Sequence, residues 1–113
     1  RPVAFADAAA VARDLVARGV APARGVGFVG GSNGGLLACA LAVFHPDAFG
    51  AIKADVPVTD MLRFHRLTAG AAWIEEYGDP DDPADAEALR AWSPLHNVPP
   101  RSRVACPPLL IAA

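Results

Sequence analysis

Cysteine, lysine and long apolar runs are all scarce in this sequence, and each scarcity excludes a class of protein. Two cysteines, Cys39 and Cys106, are too few for a disulfide framework. No apolar run approaches the roughly 18 to 20 residues that span a bilayer, so no membrane partner is expected. The one lysine, Lys53, does not follow a glycine, which excludes a phosphate-binding Walker A loop. With 113 residues, 53% of them hydrophobic, the chain is expected to form about one globular domain or less.

Clusters of basic residues and of metal ligands are also missing. The 10 basic residues are scattered among 12 acidic ones, which leaves no basic stripe for a nucleic-acid backbone. His45, His65 and His96 form no ligand pair at i, i+4 spacing, so neither a metal nor another cofactor is expected. The acidic residues between 75 and 85 lack calcium-loop spacing and are interpreted as a solvated turn and helix start.

The beginning of the chain gives an expectation about its context. It starts with Arg1 and not with methionine, so we expect it to be part of a longer polypeptide. Its first residues lack the charged start, apolar middle and cleavage site of a signal peptide, which favours the cytoplasm but leaves the compartment open.

Segments typical of strands and helices alternate along the chain. Strands are predicted at 26–29, 51–56 and 108–112, with a proline-rich loop before the last. Alternating strands and helices predict an α/β fold whose central parallel strands are covered by helices on both faces. The predicted helices are 7–18, capped by Asp7 and stopped by Gly19; 33–45; 60–67, capped by Thr59; 71–77; and 83–92, capped by Asp82.

The stretch from 26 to 38 carries the strongest chemical signal. Residues 30–34 read Gly-Gly-Ser-Asn-Gly, which fits the Gly-x-Ser-x-Gly nucleophile elbow between a strand and a helix. In such a turn Ser32 Oγ attacks a carbonyl carbon, and the backbone N–H of Asn33 donates to the developing oxyanion. A Cβ at Gly30 or Gly34 is expected to collide where strand and helix approach.

This glycine-rich stretch allows two other interpretations. An ordinary strand-to-helix turn without catalysis has the same local pattern. Residues 25–30 also spell the dinucleotide fingerprint G-x-G-x-x-G, but that motif follows its strand, whereas here the apolar residues lie inside the match. The strand before Ser32 and the apolar helix after it favour the nucleophile.

The partners of a serine nucleophile are not where an α/β-hydrolase would have them. In that fold the order is serine, acid, histidine, and the acid follows a later strand. His45 and His65 come too early, and His96 precedes the last predicted strand. On spacing alone, Trp73 and Tyr77, four residues apart, are interpreted as core residues.

Several short segments, taken together with the elbow, resemble the catalytic domain of the prolyl oligopeptidase family of serine peptidases. The resemblance covers nearly all of the chain from Phe5 onward. The segments are Gly-Gly-Ser-Asn-Gly-Gly-Leu-Leu at 30–37, Pro-Asp-Ala-Phe-Gly at 46–50, Asp-Met-Leu-Arg-Phe-His at 60–65, Gly-x-Ala-Trp at 70–73, Glu-Tyr-Gly at 76–78 and Ser-Pro-Leu-His-Asn-Val at 93–98.

The resemblance implies a fold, an activity and a set of roles. It implies that residues 1–113 are part of a single α/β-hydrolase peptidase domain that lacks its N- and C-terminal portions. Ser32 matches the family nucleophile and Asn33 the oxyanion donor. Trp73 matches the residue that stacks on the substrate's proline ring, with Val58 and Tyr77 lining the same pocket, which reverses the core interpretation. The implied activity is cleavage of short peptides after proline through an acyl-enzyme, with a β-propeller domain elsewhere in the polypeptide.

Two departures from the family pattern leave alternatives open. The family's catalytic Asp and His are expected after Ala113, and a tyrosine that completes the oxyanion hole before Arg1, so this segment alone is expected to be inactive. Small residues at Ala69 and Ala71 stand where bulkier ones are expected, which weakens the inference to proline. The alternatives are a related oligopeptidase, an acyl-peptide hydrolase or an esterase with another preference, or a non-catalytic truncated fragment.

Overall fold

A three-stranded parallel sheet forms the centre of the molecule. The computed structural model describes residues 1–100 and 106–113, so part of the predicted proline-rich loop lies outside the described residues. The strands are β1 (Gly27–Gly31), β2 (Ala51–Asp55) and β3 (Leu109–Ala112), in the order β1-β2-β3. Phe28 lies opposite Ile52, and Ile52 opposite Leu109. All three predicted strands are present.

Four α-helices accompany the sheet in residues 1–100 and 106–113. They are α1 (Pro2–Ala17), α2 (Asn33–Phe44), α3 (Ile74–Tyr77) and α4 (Pro83–Trp92). The predicted cap at Asp7 is wrong, because α1 already begins at Pro2, a residue whose fixed φ and missing N–H suit the first turn. Gly19 adopts a φ of 72° and ends the helical segment in the left-handed conformation, as predicted.

Two N-caps are predicted in the segment between β2 and α4, and only one of them is present. Thr59 caps no helix: 3-10 turns at Phe64–Arg66 and Gly70–Trp73 replace the predicted helix 60–67 and the first part of 71–77. The Thr59 carbonyl instead accepts from the Leu95 N–H, 3.1 Å away. Asp82 does cap α4, because its carboxylate accepts from the N–H groups of Ala84 and Asp85.

Helix α2 is buried between two apolar clusters. One lies toward the sheet and α1 and includes Ala9, Leu41, Phe49 and Ile52. The other joins residues of α1, α2, α4 and the segment between β2 and α4. It is called here the aromatic cluster and consists of Phe5, Leu36, Ala40, Met61, Phe64, Leu89 and Trp92. Helix α2, predicted as an apolar helix after Ser32, is therefore buried on nearly every side. The two cysteines are free thiols, Cys39 buried in α2 and Cys106 exposed.

In the described part of the chain, one face of the sheet is covered and the other is exposed. Ile52 and Ala54 are buried, whereas Val29 is 69% and Leu110 60% exposed on the opposite face. The expectation of helices on both faces is thus met here on one face only. Consecutive right-handed crossovers that advance in the same direction along a sheet place their helices on the same side, and the order β1-β2-β3 never reverses. No helix in residues 1–100 or 106–113 is long and apolar enough to cross a membrane.

Candidate active site

Ser32 occupies a strained turn between β1 and α2. Strand β1 ends at Gly31 and α2 begins at Asn33, so Ser32 is the only residue between them. Its φ of 54° and ψ of −116° lie where L-residues are rarely found, a conformation that costs about 1–3 kcal/mol. The backbone holds it there: the Ser32 N–H donates to the Asp55 carbonyl at 2.9 Å. The side chain is exposed, as attack on an external carbonyl requires.

The glycines of the elbow have different structural roles. A Cβ on Gly30 would lie 2.1 Å from the Gly34 carbonyl oxygen, so the predicted collision is real at that position. Gly34 has nothing within 4 Å of its own Cβ position, so the collision predicted there is wrong. The second obligatory glycine is Gly35, whose Cβ would lie 2.8 Å from the Asp55 carbonyl oxygen and 2.9 Å from Pro57 Cα. The elbow is therefore built against the end of β2 as well as against its own helix.

The end of β2 is itself strained beside the elbow. Val56, the residue after β2, has a φ of 41°, an unusual value for a β-branched side chain. Its N–H donates to the Ala112 carbonyl at 2.7 Å, which ties this turn to β3. Because the preceding residue, Asp55, supplies the carbonyl that holds Ser32, the three strands together fix the position of the elbow.

Asn33 stands where an oxyanion donor is needed. It is the first residue of α2, and the first N–H groups of a helix have no carbonyl partner within the helix. The same end carries the positive end of the helix dipole, which favours negative charge on an attacked carbonyl oxygen. The Asn33 side chain points to another part of the molecule, because its Oδ1 accepts a hydrogen bond from the Tyr77 hydroxyl at 2.8 Å.

The predicted pocket residues share one aromatic surface. The rings of Trp73 and Tyr77 stack with centroids 5.8 Å apart and planes 22° from parallel. Tyr77 and Val58 pack against the aromatic cluster, while Trp73 is 41% exposed, so Trp73 is not the core residue that its spacing alone suggested. The structure thus brings Asn33, Tyr77 and Trp73 together and places Val58 against the same cluster. Their roles toward a substrate stay predictions.

The protonation of Tyr77 is set by its surroundings. Burial raises the pKa of its hydroxyl above the ordinary value of 10.0, and neighbouring Glu76 acts in the same direction. The Arg1 guanidinium, whose Cζ lies 4.8 Å from the ring centroid, opposes this shift. Arg1 also forms an ion pair with Glu76. The Tyr77 hydroxyl is therefore protonated near neutral pH and can donate to Asn33.

A serine–histidine pair lies between the segment after β2 and the end of α4. Ser93 Oγ lies 2.8 Å from His96 Nδ1, and His96 Nε2 lies 3.8 Å from Asp60 Oδ1. Ser93 Oγ also accepts from the Met61 N–H at 3.1 Å and donates to the Thr59 carbonyl at 3.2 Å. Ser93 is fully buried, so it joins two chain segments and cannot meet a substrate. Sequence reasoning missed this group, and Ser-Pro at a helix end was its only local signal.

Asp60 is the anionic member of this group. Burial acts to raise the pKa of Asp60, but hydrogen bonds from Arg63 Nε and the Leu62 N–H, with the charges of Arg63 and His96, outweigh burial and lower it. The carboxylate is therefore ionised over the whole neutral range.

The remaining polar clusters have local structural roles. Asp79 accepts from the Asp81 N–H, and Asp85 accepts from the Asp79 N–H, so the acidic segment is the turn and helix start that its pattern predicted. His65 contacts Asp81 and Arg66. In the described residues no three His, Cys, Asp or Glu side chains come together in a way that could hold a metal ion.

Comparison with known proteins identifies the family. The model of the prolyl oligopeptidase family matches residues 2–113. Prolyl oligopeptidase A of Galerina marginata is 44% identical over 110 residues, which are 96% of this chain and 15% of the relative. Prolyl endopeptidase of Dictyostelium discoideum is 53% identical over 70 residues, or 62% of this chain and 9% of the relative.

Solved structures agree with this result. A post-proline cleaving enzyme from Rickettsia typhi has a TM-score of 0.89 and 36% identity, covering 96% of this chain and 16% of that enzyme. The α/β fold prediction is confirmed by this likeness. The chain spans about one seventh of the length of the curated relatives that it matches. On the family match and these relatives, the chain belongs to the prolyl oligopeptidase family.

Proposed function

We propose that the complete polypeptide containing this chain is a serine peptidase that cleaves short peptides after proline, with Ser32 as its nucleophile. The observation that carries the proposal is an exposed serine in a strained turn between a parallel strand and a buried helix, in a chain of this family. The strain serves the chemistry, because it holds Oγ above the end of the sheet instead of against the helix.

In the proposed reaction Ser32 Oγ forms a bond to the scissile carbonyl carbon. The carbonyl oxygen becomes an oxyanion, and the backbone N–H of Asn33 stabilises it at the start of α2. Collapse of this intermediate breaks the C–N bond, and the amine leaves with the proton first taken from Ser32. Water then forms a bond to the acyl carbon, the ester bond to Ser32 Oγ breaks, and a proton from the water passes to Oγ, which restores the serine and releases the carboxylic acid.

In this proposal none of His45, His65 and His96 is the general base. His65 contacts Asp81, and His96 contacts Ser93. His45 follows the last residue of the 12-residue helix α2, about 18 Å along the axis from the end that carries Ser32. We expect the base and its acidic partner where the family resemblance puts them, after Ala113, and the second oxyanion donor before Arg1.

Proline preference is proposed from the stacked pair Trp73 and Tyr77. An indole with 41% of its surface exposed offers a flat apolar face to a rigid ring. Val58 packs against the aromatic cluster, as Tyr77 does. Relatives named prolyl endopeptidase and prolyl oligopeptidase support the assignment. The remaining segments of the catalytic domain and a β-propeller are the intramolecular partners in this proposal, and a short peptide is the substrate.

A related enzyme with another preference is the second candidate. Ala69 and Ala71 are small and exposed in the turns that carry Trp73. One or two missing methylene groups in a pocket change discrimination by about 1–3 kcal/mol, which is enough to admit a residue other than proline.

Three kinds of reporter substrate separate these candidates: peptides cleaved after proline, peptides cleaved after arginine, and acylated reporters. The complete polypeptide is expected to favour the proline reporter, and Trp73→Ala is expected to raise KM most for that reporter. If Trp73→Ala reduced the hydrolysis of all reporters equally, the second candidate would be favoured. Ser32→Ala is expected to lower hydrolysis of every reporter by on the order of a millionfold. Unchanged hydrolysis by Ser32→Ala would contradict the proposal.

A further inference from the structure

The Tyr77 hydroxyl makes a contact that lining an apolar pocket does not require. It donates to Asn33 Oδ1 at 2.8 Å across 44 residues of sequence. The bond joins the last residue of α3 to the first residue of α2, that is, the substrate side of the proposed site to its oxyanion side. Tyr77 is the only tyrosine of the chain, whereas a phenylalanine would serve apolar contact equally well.

The ring that carries this hydroxyl is held from several sides. Phe64 meets it edge to face at 5.2 Å and 88°, and Trp92 lies 6.2 Å away. Trp73 stacks on it, and the Arg1 guanidinium lies over the ring. The hydroxyl is thus fixed relative to the aromatic cluster, so little side-chain freedom remains to be lost when it donates to Asn33.

Asn33 needs such a partner because of its place in the helix. Asparagine side chains readily accept hydrogen bonds from their own or neighbouring backbone N–H groups. In the first turn of α2 those N–H groups have no carbonyl partner within the helix, and one of them is the proposed oxyanion donor. An amide oxygen that turned back toward this N–H would compete with the substrate's oxyanion.

We propose that Tyr77 is a positioning residue for the oxyanion donor: its hydroxyl holds Asn33 Oδ1 away from the backbone and leaves the Asn33 N–H free. This inference rests on the proposed function. It assigns Tyr77 a role in the rate of the chemical step, separate from apolar contact with the substrate. It also gives Asn33's side chain a defined function, although only its backbone touches the reacting atoms.

Tyr77→Phe in the complete polypeptide removes the hydroxyl and keeps the ring. We expect kcat for the proline reporter to fall about tenfold, less than the 10²- to 10³-fold cost of deleting an oxyanion donor. KM is expected to change less than twofold, because the apolar surface remains. Trp73→Ala is expected to show the opposite split, with KM raised more than kcat is lowered. Arg18→Gln, which breaks an exposed ion pair with Asp14 on α1, is the matched control with unchanged kinetics.

The double variant distinguishes positioning from a general structural effect. Asn33→Ala removes the oxygen that Tyr77 holds, so adding Tyr77→Phe to Asn33→Ala is expected to leave kcat unchanged. Equal losses in both backgrounds would overturn the inference, as would an unchanged kcat in Tyr77→Phe alone. Thermal unfolding of each variant reports whether the fold is retained. A wild-type polypeptide that hydrolyses none of the reporters would overturn this inference and the proposed function together; an active wild type with an unaffected Tyr77→Phe overturns this inference alone.

Discussion

Two serines of this chain, Ser32 and Ser93, lie in contrasting environments. Ser32 is exposed, has a φ of 54° and begins a buried helix. Ser93 is fully buried at the end of α4, where its Oγ contacts the Met61 N–H, the Thr59 carbonyl and His96 Nδ1. The second serine thus has the histidine that a nucleophile needs, and Asp60 lies beyond that histidine. It lacks any route for a substrate.

The comparison shows that a serine, a histidine and an aspartate in contact do not by themselves make a catalytic site. The Ser93 hydroxyl has one proton, which it donates to the Thr59 carbonyl, while its oxygen accepts from Met61. These two bonds join the segment after β2 to the end of α4, and His96 Nδ1 contacts the same oxygen. Ser32 is distinguished by exposure, backbone strain and a helix N-terminus, and these three features support the proposal that it is the nucleophile.

The largest expected effect comes from the glycines that shape the Ser32 turn. Gly30→Ala places a Cβ 2.1 Å from the Gly34 carbonyl oxygen, and backbone cannot move aside as a side chain can. We expect the free energy of unfolding of the complete polypeptide to fall by about 3 kcal/mol or more. Chemical denaturation measures this change.

Gly34→Ala is the matched control for that prediction. Nothing lies within 4 Å of its Cβ position, and alanine in a helix is favoured over glycine by about 1 kcal/mol. Stability is therefore expected to stay equal or to rise. If both alanine variants lost stability equally, the close approach of strand and helix at Gly30 would not be what shapes the elbow.

A smaller effect is expected at the second serine. Ser93→Ala leaves the buried Met61 N–H without its acceptor, which costs about 1–3 kcal/mol of stability. Hydrolysis per folded molecule is expected to be unchanged, because Ser93 is buried. Ser32→Ala should show the reverse, with activity lost and stability kept. Loss of activity in a folded Ser93→Ala variant would contradict the division between the two serines.

The smallest expected effect is the pH dependence of Asp60. Its pKa is lower in the folded chain than in the unfolded one, so its contribution to stability is present above the unfolded value of about 3.9 and is lost as pH falls through the folded pKa. Its partner Arg63 is 69% exposed, so the contribution is at most about 1 kcal/mol. The stability difference between wild type and Asp60→Asn should shrink as pH falls below 4. A difference that grew toward low pH would contradict the assignment.

The features that sequence predicted are those with local causes. The elbow at 30–34 depends on neighbours in sequence, as does the Asp82 cap of α4. Three strands in alternation with helices were enough to predict the parallel sheet. The sequence did not predict that helices cover only one face of the sheet. That feature depends on the spatial order of the strands, which is a property of the assembled sheet.

The features that sequence missed depend on distant contacts. The Ser93 group joins residues more than 30 positions apart, and Tyr77 reaches Asn33 across 44. Thr59 caps no helix because the residues after it form turns, and its carbonyl accepts from the distant Leu95 N–H. Gly35 was missed in favour of Gly34 because the obstacle to its Cβ is the end of β2. No spacing pattern contains such information.

Covalent labelling of the complete polypeptide with a fluorophosphonate tests the central claim most directly. The tryptic peptide 25–53 contains Ser32 as its only serine, and the peptide 91–101 contains Ser93. Mass spectrometry is expected to find the adduct on peptide 25–53, at Ser32, and to find none on that peptide in Ser32→Ala. An adduct on peptide 91–101, or labelling that persists unchanged in Ser32→Ala, would contradict the assignment of Ser32 as the nucleophile.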